Sequence, residues 1–434
     1  MRNGVGGSLF RPPTPFSRVL FPKPYAHDPV SAGGCQLSKY GLWLVGARGG
    51  VATTVTAGLA ALTRQLSPPI GLITEHPEFS NCQLPPLESF IVGGHEIREG
   101  SLIESAKTIE EDSGSLSLPL IEAIREDLQS VDQRIRPGIL INAGKAICEL
   151  GSATKEPAGQ TPSAAFEQVT SDLREFQTRH QLQGIVVVNL SSTEAPVPNH
   201  PAHSSAEALM EALKNNDASA FRSSTIYAMA AAEVGAAYVN FTPSSAALVP
   251  ATRQLLEEAG CSYCGSDGKT GETLVKSALA PMFAQRAMQV LSWQSYNMLG
   301  DRDGEILAHE ENKRSKIASK GELIHELLGE DVHSQVRIDY VPSLGDNKTA
   351  WDLIHFKGFL GHRMSMQFTW QGCDAILAAP LVIDLARLLT HAQSQGEKGL
   401  QKYCSLFFKS PIDGSSHALS HQFDELIEKA RNWS

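Results

Sequence analysis

The sequence predicts an α/β protein with a doubly wound parallel sheet, followed by an α+β region built on a mixed sheet. Two observations carry this prediction. Short, continuous apolar runs alternate with helical segments up to about residue 245, which is typical of strands buried on both faces. Beyond that point several segments alternate apolar and polar residues, as strands with one exposed face do.

The first strand is predicted at residues 40–45 (YGLWLV), and it runs directly into a glycine-rich turn and a helix that reaches Leu62. The turn and the start of the helix contain Gly46, Ala47, Arg48, Gly49, Gly50 and Val51. Backbone N–H groups at such a turn can hold a pyrophosphate, as they do in a Rossmann-like dinucleotide-binding domain. The spacing G-x-x-G-G departs from G-x-G-x-x-G, so a tight turn without a ligand is the alternative.

Further buried strands are predicted at residues 69–73, 138–141, 184–189 and 236–241, with helices that include 165–181 and 205–213. Two of these strands end in polar clusters, which contain Ser191 and Thr193 in one case and Asn240, Thr242 and Ser244 in the other. Ligands of open α/β sheets bind at the carboxyl ends of the strands, so both clusters are candidate ligand loops. The alternative is that their hydroxyl groups cap the following helices.

The second region contains alternating segments at residues 287–293, 335–341 and 362–370, which predict half-exposed strands. One face of such a mixed or antiparallel sheet is available to another layer or to another subunit. Helices are predicted at 374–392 and 424–433, returning to the first sheet. We therefore expect a flexible N-terminal arm over residues 1–38, a Rossmann-like dinucleotide-binding domain over 39–245, a mixed-sheet domain over 246–371 that holds the oligomerisation face and the candidate catalytic residues described below, and C-terminal helices over 372–434 that return to the first domain.

Composition and charge exclude several classes of protein. The net charge of −10 and the pI of 5.8 argue against a nucleic-acid-binding surface. We find no apolar run of about 18 residues, so no transmembrane helix is expected. Seven cysteines, an odd number, suit a reducing compartment and hence a cytoplasmic location. The N-terminal arm is Arg-rich and acid-poor like a transit peptide, but its prolines favour a disordered arm or one packed on a partner subunit.

Four lysines of the C-terminal half stand in motifs that are unusual for surface lysines. Lys320 follows Lys316 by one helical turn, Lys348 follows a Gly-Asp-Asn turn, and Lys409 interrupts an apolar run. An ammonium group beside apolar residues is costly unless it meets an anion. Several such groups in one pocket would suit a phosphorylated substrate and a developing oxyanion. For any one lysine, an ordinary surface position is the alternative.

Two polar loops lie between these motifs. Residues 265–273 (GSDGKTGET) form a glycine-rich turn before a helix from about Leu274, with the ingredients of an anion-binding nest. This turn is not a P-loop, because GxxxxGK[ST] requires a glycine where Tyr263 stands. The second loop, residues 295–304, carries Asp301 and Asp303, and its alternative is a simple hairpin turn.

Nine motifs follow one another along the chain, namely GARGG, VVNLSSTE, NFTPS, GSDGKTGET, SYNMLGDRDG, NKRSK, PSLGDNK, CDAILAAPLVIDLARLL and FFKSP. In the residues and the order of these motifs, the chain resembles the myo-inositol-1-phosphate synthase (inositol-3-phosphate synthase) family, closest to its shorter prokaryotic and archaeal form. The resemblance covers about residues 38–425. It implies an NAD-dependent isomerase that converts glucose 6-phosphate to myo-inositol 1-(3-)phosphate, the first step of inositol biosynthesis.

The implied reaction has no net redox change. Hydride leaves C5 for NAD, the C5 ketone acidifies C6 so that a base forms an enolate, the enolate closes the ring on the C1 aldehyde, and hydride returns to C5. Two ammonium groups about 8 Å apart repel by about 2 kcal/mol, or about 1.5 pKa units. One lysine of a cluster can therefore be neutral and act as the base.

The resemblance also implies which residues act. The catalytic set comprises Lys316, Lys320, Lys348, Lys409, Asp374 and Asp301. Cofactor contacts are expected from residues 46–51 and from Ser191, Thr193, Asp267 and Asp303. Contacts to the substrate phosphate are expected from Asn240, Thr242, Ser244 and Lys320. Two residues have open alternatives: Asp374 caps a helix or orients a lysine, and Arg48 stacks on adenine, contacts a phosphate or points to solvent.

The archaeal-like form of the family uses a divalent metal, so we expect Mg, Mn or Zn rather than ammonium or potassium, with Asp303 as the candidate ligand. The resemblance further implies a homotetramer that acts on a small sugar phosphate, with no nucleic-acid or membrane partner. Two other functions stay open. One is a paralogue that acts on a different sugar phosphate, and the other is an inactive NAD-binding interaction protein.

Overall fold

The computed structural model describes residues 38–151, 160–300, 323–414 and 416–434. Within these residues the strands are β1 Tyr40–Val45, β2 Phe90–Glu96, β3 Ile135–Pro137, β4 Gly184–Asn189, β5 Ala237–Asn240, β6 Ser262–Gly265, β7 Gln289–Leu299, β8 His333–Tyr340, β9 Asn347–Lys357, β10 Arg363–Cys373 and β11 Gly399–Leu400. The α-helices are α1 Gly50–Thr63, α2 Leu102–Ser113, α3 Leu118–Ala123, α4 Arg125–Asp132, α5 Lys145–Leu150, α6 Pro162–His180, α7 Ala206–Lys214, α8 Ser223–Val234, α9 Pro250–Glu258, α10 Gly271–Gln285, α11 Asp374–Ser394 and α12 Leu419–Asn432.

The strands form two sheets. The larger has seven parallel strands in the order β11-β6-β5-β4-β1-β2-β3. The smaller has four strands in the order β10-β9-β7-β8, with a parallel pair between β7 and β8 and antiparallel pairs elsewhere. This arrangement confirms the predicted fold class, a doubly wound parallel sheet combined with a mixed sheet.

The seven-stranded sheet is buried on both faces because its strands are apolar at successive positions. In β1, Leu42 and Leu44 pack in one core with α1, α2 and α11. Trp43 points to the other face, where it packs in a second core with α6 and α8. Alternate side chains of a strand point to opposite faces, so a continuous apolar run supplies both cores at once.

Two of the predicted strands are wrong. Residues 69–73 do not pair, because Pro69 has no N–H group to donate and the carboxylate of Asp384 accepts the N–H groups of Ile73 and Thr74 at 2.8 and 3.1 Å. The segment 138–141 is not a strand either. It follows β3, and although the N–H of Gly138 still donates to the oxygen of Glu96 in β2, those of Ile139 and Ile141 donate to side chains of α8. The strands β2 and β6 were not predicted, because β2 contains two glycines and β6 spans only four residues.

The four-stranded sheet agrees with the alternating pattern of the second region. In β9, Lys348, Ala350, Asp352, Ile354 and Phe356 are buried and the residues between them are partly exposed. The helix α10 and residues 323–324 cover this face through a small apolar core. The strand β9 was not predicted, and residues 295–299 belong to β7 rather than to a hairpin turn.

The larger sheet continues past residue 245, the expected end of the first domain. Strand β6 pairs with β5, and β11 pairs with β6. The C-terminal part therefore contributes both a helix, α11, and an edge strand to the first sheet. The expected division into domains stays a prediction, although the sheet itself extends to Leu400.

The helix α11 is the one described helix that is long and apolar enough to cross a membrane, and 78% of its most apolar window is buried inside the fold. It packs on α1 and beneath the strands β4, β5 and β6. Such burial is typical of a helix in the core of a folded domain. The same helix carries Asp384, which is fully buried and also accepts a 2.6 Å hydrogen bond from the hydroxyl of Thr74.

Replacing Asp384 by alanine is expected to lower the free energy of unfolding by about 3 kcal/mol, because the buried donors of Ile73 and Thr74 lose their acceptor. Urea denaturation followed by circular dichroism measures this change. The exposed Asp331, replaced in the same way, serves as the control and is expected to shift stability by less than about 0.5 kcal/mol. Equal stabilities of the two variants would contradict the assignment.

Candidate active site

A cleft of about 540 Å³ lies at the carboxyl edge of the seven-stranded sheet. Its walls come from the turn after β1, the segments that follow β2, β4 and β5, and the polar segment after β6. Residues of the connection between β8 and β9, from Tyr340 to Asp346, and the first turn of α11 close the opposite side. The carboxyl edge is where open parallel sheets bind their ligands.

The glycine turn is shaped for a close approach by a ligand. Gly46 has a φ of +84°, and a Cβ atom there would lie 3.2 Å from the carbonyl oxygen of Leu190. A Cβ atom at Gly49 would lie 3.1 Å from the oxygen of Gly46. The N–H groups of Gly46 and Ala47 donate to the oxygen of His95, which fixes the turn against β2.

The first turn of α1 has no acidic residue, and its N-cap, Gly49, offers no side chain to the helix. The orphan N–H groups of this helix are thus left for an anion, which is how dinucleotide pyrophosphates are held. Of the predicted cofactor residues in this turn, Gly46, Arg48, Gly49, Gly50 and Val51 line the cleft, whereas Ala47 does not.

The guanidinium of Arg48 is committed to protein contacts. Its Nε lies 3.0 Å from the Oδ1 of Asp132, and its Nη1 donates to the carbonyl oxygen of Arg98. This ion pair was not among the three alternatives for Arg48, which were stacking on adenine, contact with a phosphate and exposure to solvent. The side chain of Arg48 is only 16% exposed. Its ion pair with Asp132 connects the glycine turn to the end of α4.

Glu96 was not predicted as a site residue, because β2 went unrecognised. It ends β2, lines the cleft and is 4% exposed. Its carboxylate accepts from the N–H groups of Arg48 at 2.8 Å and Ile97 at 2.9 Å. Burial raises the pKa of Glu96, but the Arg98 guanidinium and these donors outweigh it and hold the pKa below its usual value. In dinucleotide-binding sheets an acidic residue downstream of the turn contacts the ribose hydroxyls.

Ser191 and Thr193, after β4, both line the cleft as predicted cofactor residues. The Ser191 hydroxyl donates to the Oδ1 of Asn189 at 2.7 Å. Neither residue caps a helix, since the next α-helix, α7, is capped by Ser205. Ser191 and Thr193 therefore do not act as helix caps.

The structure separates the three residues predicted to contact the substrate phosphate after β5. Thr242 lines the cleft, whereas Asn240 and Ser244 are buried beneath it. The amide of Asn240 donates to the carbonyl oxygens of Thr242 and Ser244 at 2.9 and 3.0 Å. The hydroxyl of Ser244 accepts from the N–H of Glu194. Asn240 and Ser244 thus shape the loop, and a phosphate contact stays a prediction for Thr242.

Lys409 and Asp267 form a buried ion pair, with 2.9 Å between Nζ and Oδ1. They are 142 residues apart, and a short antiparallel pairing of residues 265–269 with 407–412 brings them together. In that pairing the N–H of Lys409 donates to the oxygen of Asp267 at 2.7 Å. The second carboxylate oxygen of Asp267 is buried and has no hydrogen-bond partner among the described residues. It is a polar atom free to meet a ligand in the cleft.

Lys348 and Asp374 form a second pair. The Nζ of Lys348, at the start of β9, lies 3.0 Å from the Oδ2 of Asp374, at the start of α11. The Oδ1 of Asp374 accepts from the hydroxyl of Thr270, the residue before α10, at 3.1 Å. The N-cap of α11 is Cys373, so Asp374 lies in the first turn. The two alternatives for Asp374 were a helix cap and a contact with a lysine, and the structure shows the contact with Lys348.

Asp346 is a second cleft residue that sequence reasoning did not single out. It stands two residues before Lys348 in the same GDNK motif, which was the available signal. A Cβ atom at Gly50 would lie 3.9 Å from its Oδ1. Burial raises the pKa of Asp346, and the carboxylates of Asp112 and Asp374 raise it further, although a hydrogen bond from Cys373 lowers it.

Asp346 and Asp374 are thus two carboxylates that line the cleft close to the glycine turn and offer oxygen ligands to a cation. No group of three or more His, Cys, Asp or Glu with metal-binding geometry occurs among the described residues. The remaining predicted residues, Lys316, Lys320, Asp301 and Asp303, lie outside the described residues.

Residues 40–433 match the profile of an NAD-binding family described as myo-inositol-1-phosphate synthase. The chain belongs to the myo-inositol-1-phosphate synthase family. The match spans both sheets and both Lys–Asp pairs, and it confirms the resemblance drawn from the motifs. NAD binding accordingly agrees with the glycine turn at the cleft.

Members of the myo-inositol-1-phosphate synthase family from several organisms are similar to the chain. Inositol-3-phosphate synthase 1 of Bacteroides thetaiotaomicron is 32% identical over 402 residues, which is 88% of this chain and 92% of that protein. The crystal structure of inositol-3-phosphate synthase from Caenorhabditis elegans matches with a TM-score of 0.83 at 24% identity, covering 92% of this chain and 86% of that one. A myo-inositol-1-phosphate synthase-related protein from Thermotoga maritima matches with a TM-score of 0.75 at 24% identity, covering 90% and 98%. These two structures confirm the fold.

Replacing Gly46 by alanine is expected to weaken NAD binding at least about tenfold, because the new methyl group strains a positive φ and crowds Leu190. Isothermal titration calorimetry with NAD measures the loss. Gly58 in α1 is the matched control. A methyl group there meets only ordinary contacts, and alanine favours a helix interior, so affinity should stay unchanged. Unaltered affinity in G46A would show that the turn does not hold the cofactor.

Proposed function

We propose that the chain is an inositol-3-phosphate synthase, which converts glucose 6-phosphate to myo-inositol 1-(3-)phosphate without net consumption of NAD. The observation that carries this proposal is the presence of two Lys–Asp contacts, the buried pair Lys409–Asp267 and the half-buried pair Lys348–Asp374, at the same cleft as the glycine turn. Membership of the myo-inositol-1-phosphate synthase family supports it. A plain dehydrogenase would need neither pair.

Residues on the β1–β2 side of the cleft would hold NAD. The N–H groups of Gly50 and Val51, in the first turn of α1, would hold the pyrophosphate, and Glu96 would accept from ribose hydroxyls. Bound NAD supplies a hydride acceptor that also returns the hydride to the same carbon. Thr193 and Asp267, both buried at the cleft, would position the cofactor beside the substrate.

Lys409 and Lys348 would act on the oxygens of the substrate. Each ammonium group is anchored by a carboxylate that compensates its buried charge, and each retains N–H groups to donate. A donor fixed in this way stabilises the oxyanions that arise when the enolate and the ring-closing alkoxide form. Asp374 and Thr270 orient Lys348, and Asp267 orients Lys409.

The phosphate of the substrate would lie near Thr242, whose loop is held from below by Asn240 and Ser244. Lys320 is proposed as its cationic partner, and Lys316 as a further member of the catalytic set with Asp301. An inactive interaction protein is disfavoured, because Lys409 and Lys348 both stand at the cleft and Asp267 has a buried carboxylate oxygen there without a hydrogen-bond partner among the described residues.

A divalent cation, Mg, Mn or Zn, is proposed to assist at the cofactor side of the cleft. Asp346 and Asp374 would hold it, and Asp303 is the additional ligand that we propose. Carboxylate oxygens suit such cations. Ammonium or potassium is the alternative, and a panel of cations in the activity assay separates the two.

We also propose a cytoplasmic homotetramer. The six described cysteines are free thiols, as expected in a reducing compartment. The face of the smaller sheet that α10 does not cover carries half-buried aromatic residues, including Tyr296 and Trp351 with ring centroids 6.5 Å apart. Such a face is suited to pairing between subunits.

Incubation of the purified protein with glucose 6-phosphate, NAD and a cation panel is expected to yield inositol phosphate by phosphorus NMR. NADH absorbance should not rise in step with product, because the hydride returns to C5. Accumulation of NADH with an oxidised sugar phosphate would identify a dehydrogenase. NAD binding without conversion of glucose 6-phosphate would favour the paralogue and call for other sugar phosphates.

Replacing Lys348 or Lys409 by methionine is expected to lower kcat by about 100- to 1,000-fold, since each change removes a donor to a developing oxyanion. Binding of NAD should persist in K348M, which leaves the glycine turn intact. The exposed Lys402 provides the control, because K402M keeps the same side-chain change away from the cleft. Wild-type kcat in K348M and K409M would remove both lysines from the mechanism.

A further inference from the structure

The carboxylate of Glu96 fills a small anion-binding site that its own chain builds. It accepts from the backbone N–H groups of Arg48 at 2.8 Å, Ile97 at 2.9 Å and Arg98 at 3.1 Å. The Nε and Nη2 of Arg98 donate to the same carboxylate at 3.2 and 3.1 Å. Backbone N–H groups that converge in this way form a site for an anion. The N–H groups of residues 48, 97 and 98, together with the Arg98 guanidinium, are called the β2 nest below.

The β2 nest lies where the adenosine ribose of a dinucleotide would be held. Glu96 is the last residue of β2, the strand that pairs with β1 and stands beside its glycine turn. In dinucleotide-binding sheets the pyrophosphate lies at that turn, and an acidic residue downstream accepts from the ribose 2′-hydroxyl. NADP carries a phosphate group on that same oxygen. The β2 nest would therefore meet the two cofactors at the one atom where they differ.

Glu96 and Arg98 differ in their access to the cleft. Both residues line it, but the side chain of Glu96 is 2% exposed and that of Arg98 is 22% exposed. The backbone donors hold the carboxylate in place, because moving it would leave buried N–H groups without an acceptor. The guanidinium lies nearer the surface, so it can give up its contact with Glu96 when a ligand offers another anion. The pair thus combines a fixed carboxylate with a guanidinium that a ligand can reach.

The charges around the β2 nest balance one another. Arg98 pairs with Glu96, and Arg48 pairs with Asp132 at 3.0 Å. Burial raises the pKa of Glu96, but the Arg98 guanidinium and the backbone donors lower it by more, so the carboxylate is ionised at neutral pH. These two pairs leave no net charge to attract a phosphate dianion. A neutral side chain at position 96 would leave one positive charge and three unoccupied backbone N–H groups.

We propose that Glu96 and Arg98 select NAD over NADP, and that the β2 nest is a 2′-phosphate site which Glu96 keeps occupied. The presence of the cofactor itself rests on the proposed function. A ribose hydroxyl donates to the carboxylate, whereas a 2′-phosphate meets a like charge and finds its donors taken. Without Glu96, the planar fork of the Arg98 guanidinium is free to bind a phosphate through two hydrogen bonds. Glu96 is thus the residue that excludes NADP, and Arg98 is the residue that would bind it.

Isothermal titration calorimetry with NAD and with NADP tests this selectivity. In E96S, the ratio of the NADP to the NAD dissociation constant is expected to fall at least about 100-fold, because a like charge is removed and the phosphate gains donors. The double variant E96S/R98M should lose about tenfold in NADP affinity relative to E96S and keep the NAD affinity of E96S. An unchanged ratio in E96S, or equal NADP affinity in E96S and E96S/R98M, overturns the proposal.

Two further variants separate the charge of Glu96 from folding and from charge in general. E96Q keeps the shape of the side chain and an acceptor oxygen for the backbone donors, so it carries the test if E96S does not fold. Its ratio should fall about tenfold. E99Q makes the same change at an exposed neighbour outside the cleft lining, and its ratio should stay within about twofold of the wild type. An equal fall in E96Q and E99Q overturns this inference alone. A wild-type protein that binds neither dinucleotide overturns the proposed function with it.

Discussion

The site depends on the antiparallel pairing of residues 265–269 with residues 407–412. This short ladder joins the end of β6 to the segment before α12, and it places Lys409 directly against Asp267. Burying two charges is tolerable only when they neutralise each other with good geometry. The backbone ladder provides that geometry, since the N–H of Lys409 is itself bound to the oxygen of Asp267. The C-terminal segment is therefore a part of the active site rather than an appendage.

The two sheets divide the chemistry between them. The larger sheet supplies the glycine turn and Glu96 at its carboxyl edge, where helix N-termini and backbone N–H groups favour an anionic cofactor. The smaller sheet supplies Lys348 from the start of β9. Asp374 ties the two together, because it begins a helix of the larger core while binding a lysine of the smaller sheet. The candidate site thus lies at the junction of the sheets.

Structural features that depend only on residues close together in the sequence could be predicted from it. The strand β1, its glycine turn and α1 follow from an apolar run, glycines and a helix-forming segment, and all three were predicted. The error at residues 69–73 has a distant cause, since Asp384, about 310 positions away, takes the N–H groups that a strand would use. Glu96 escaped notice because glycines interrupt the apolar pattern of β2. The ion pair of Arg48 depends on Asp132, which no local pattern indicates.

The two-residue strand β11 has a consequence for synthesis on the ribosome. Until β11 emerges, β6 is an edge strand with unpaired backbone groups, which is a template for pairing with other chains. Lys409 follows within a few residues of β11, so the nascent chain can form the cofactor turn long before it can form the buried ion pair. A chain interrupted after α11 would therefore keep the glycine turn, lack Lys409 and its ion pair with Asp267, and be prone to aggregate.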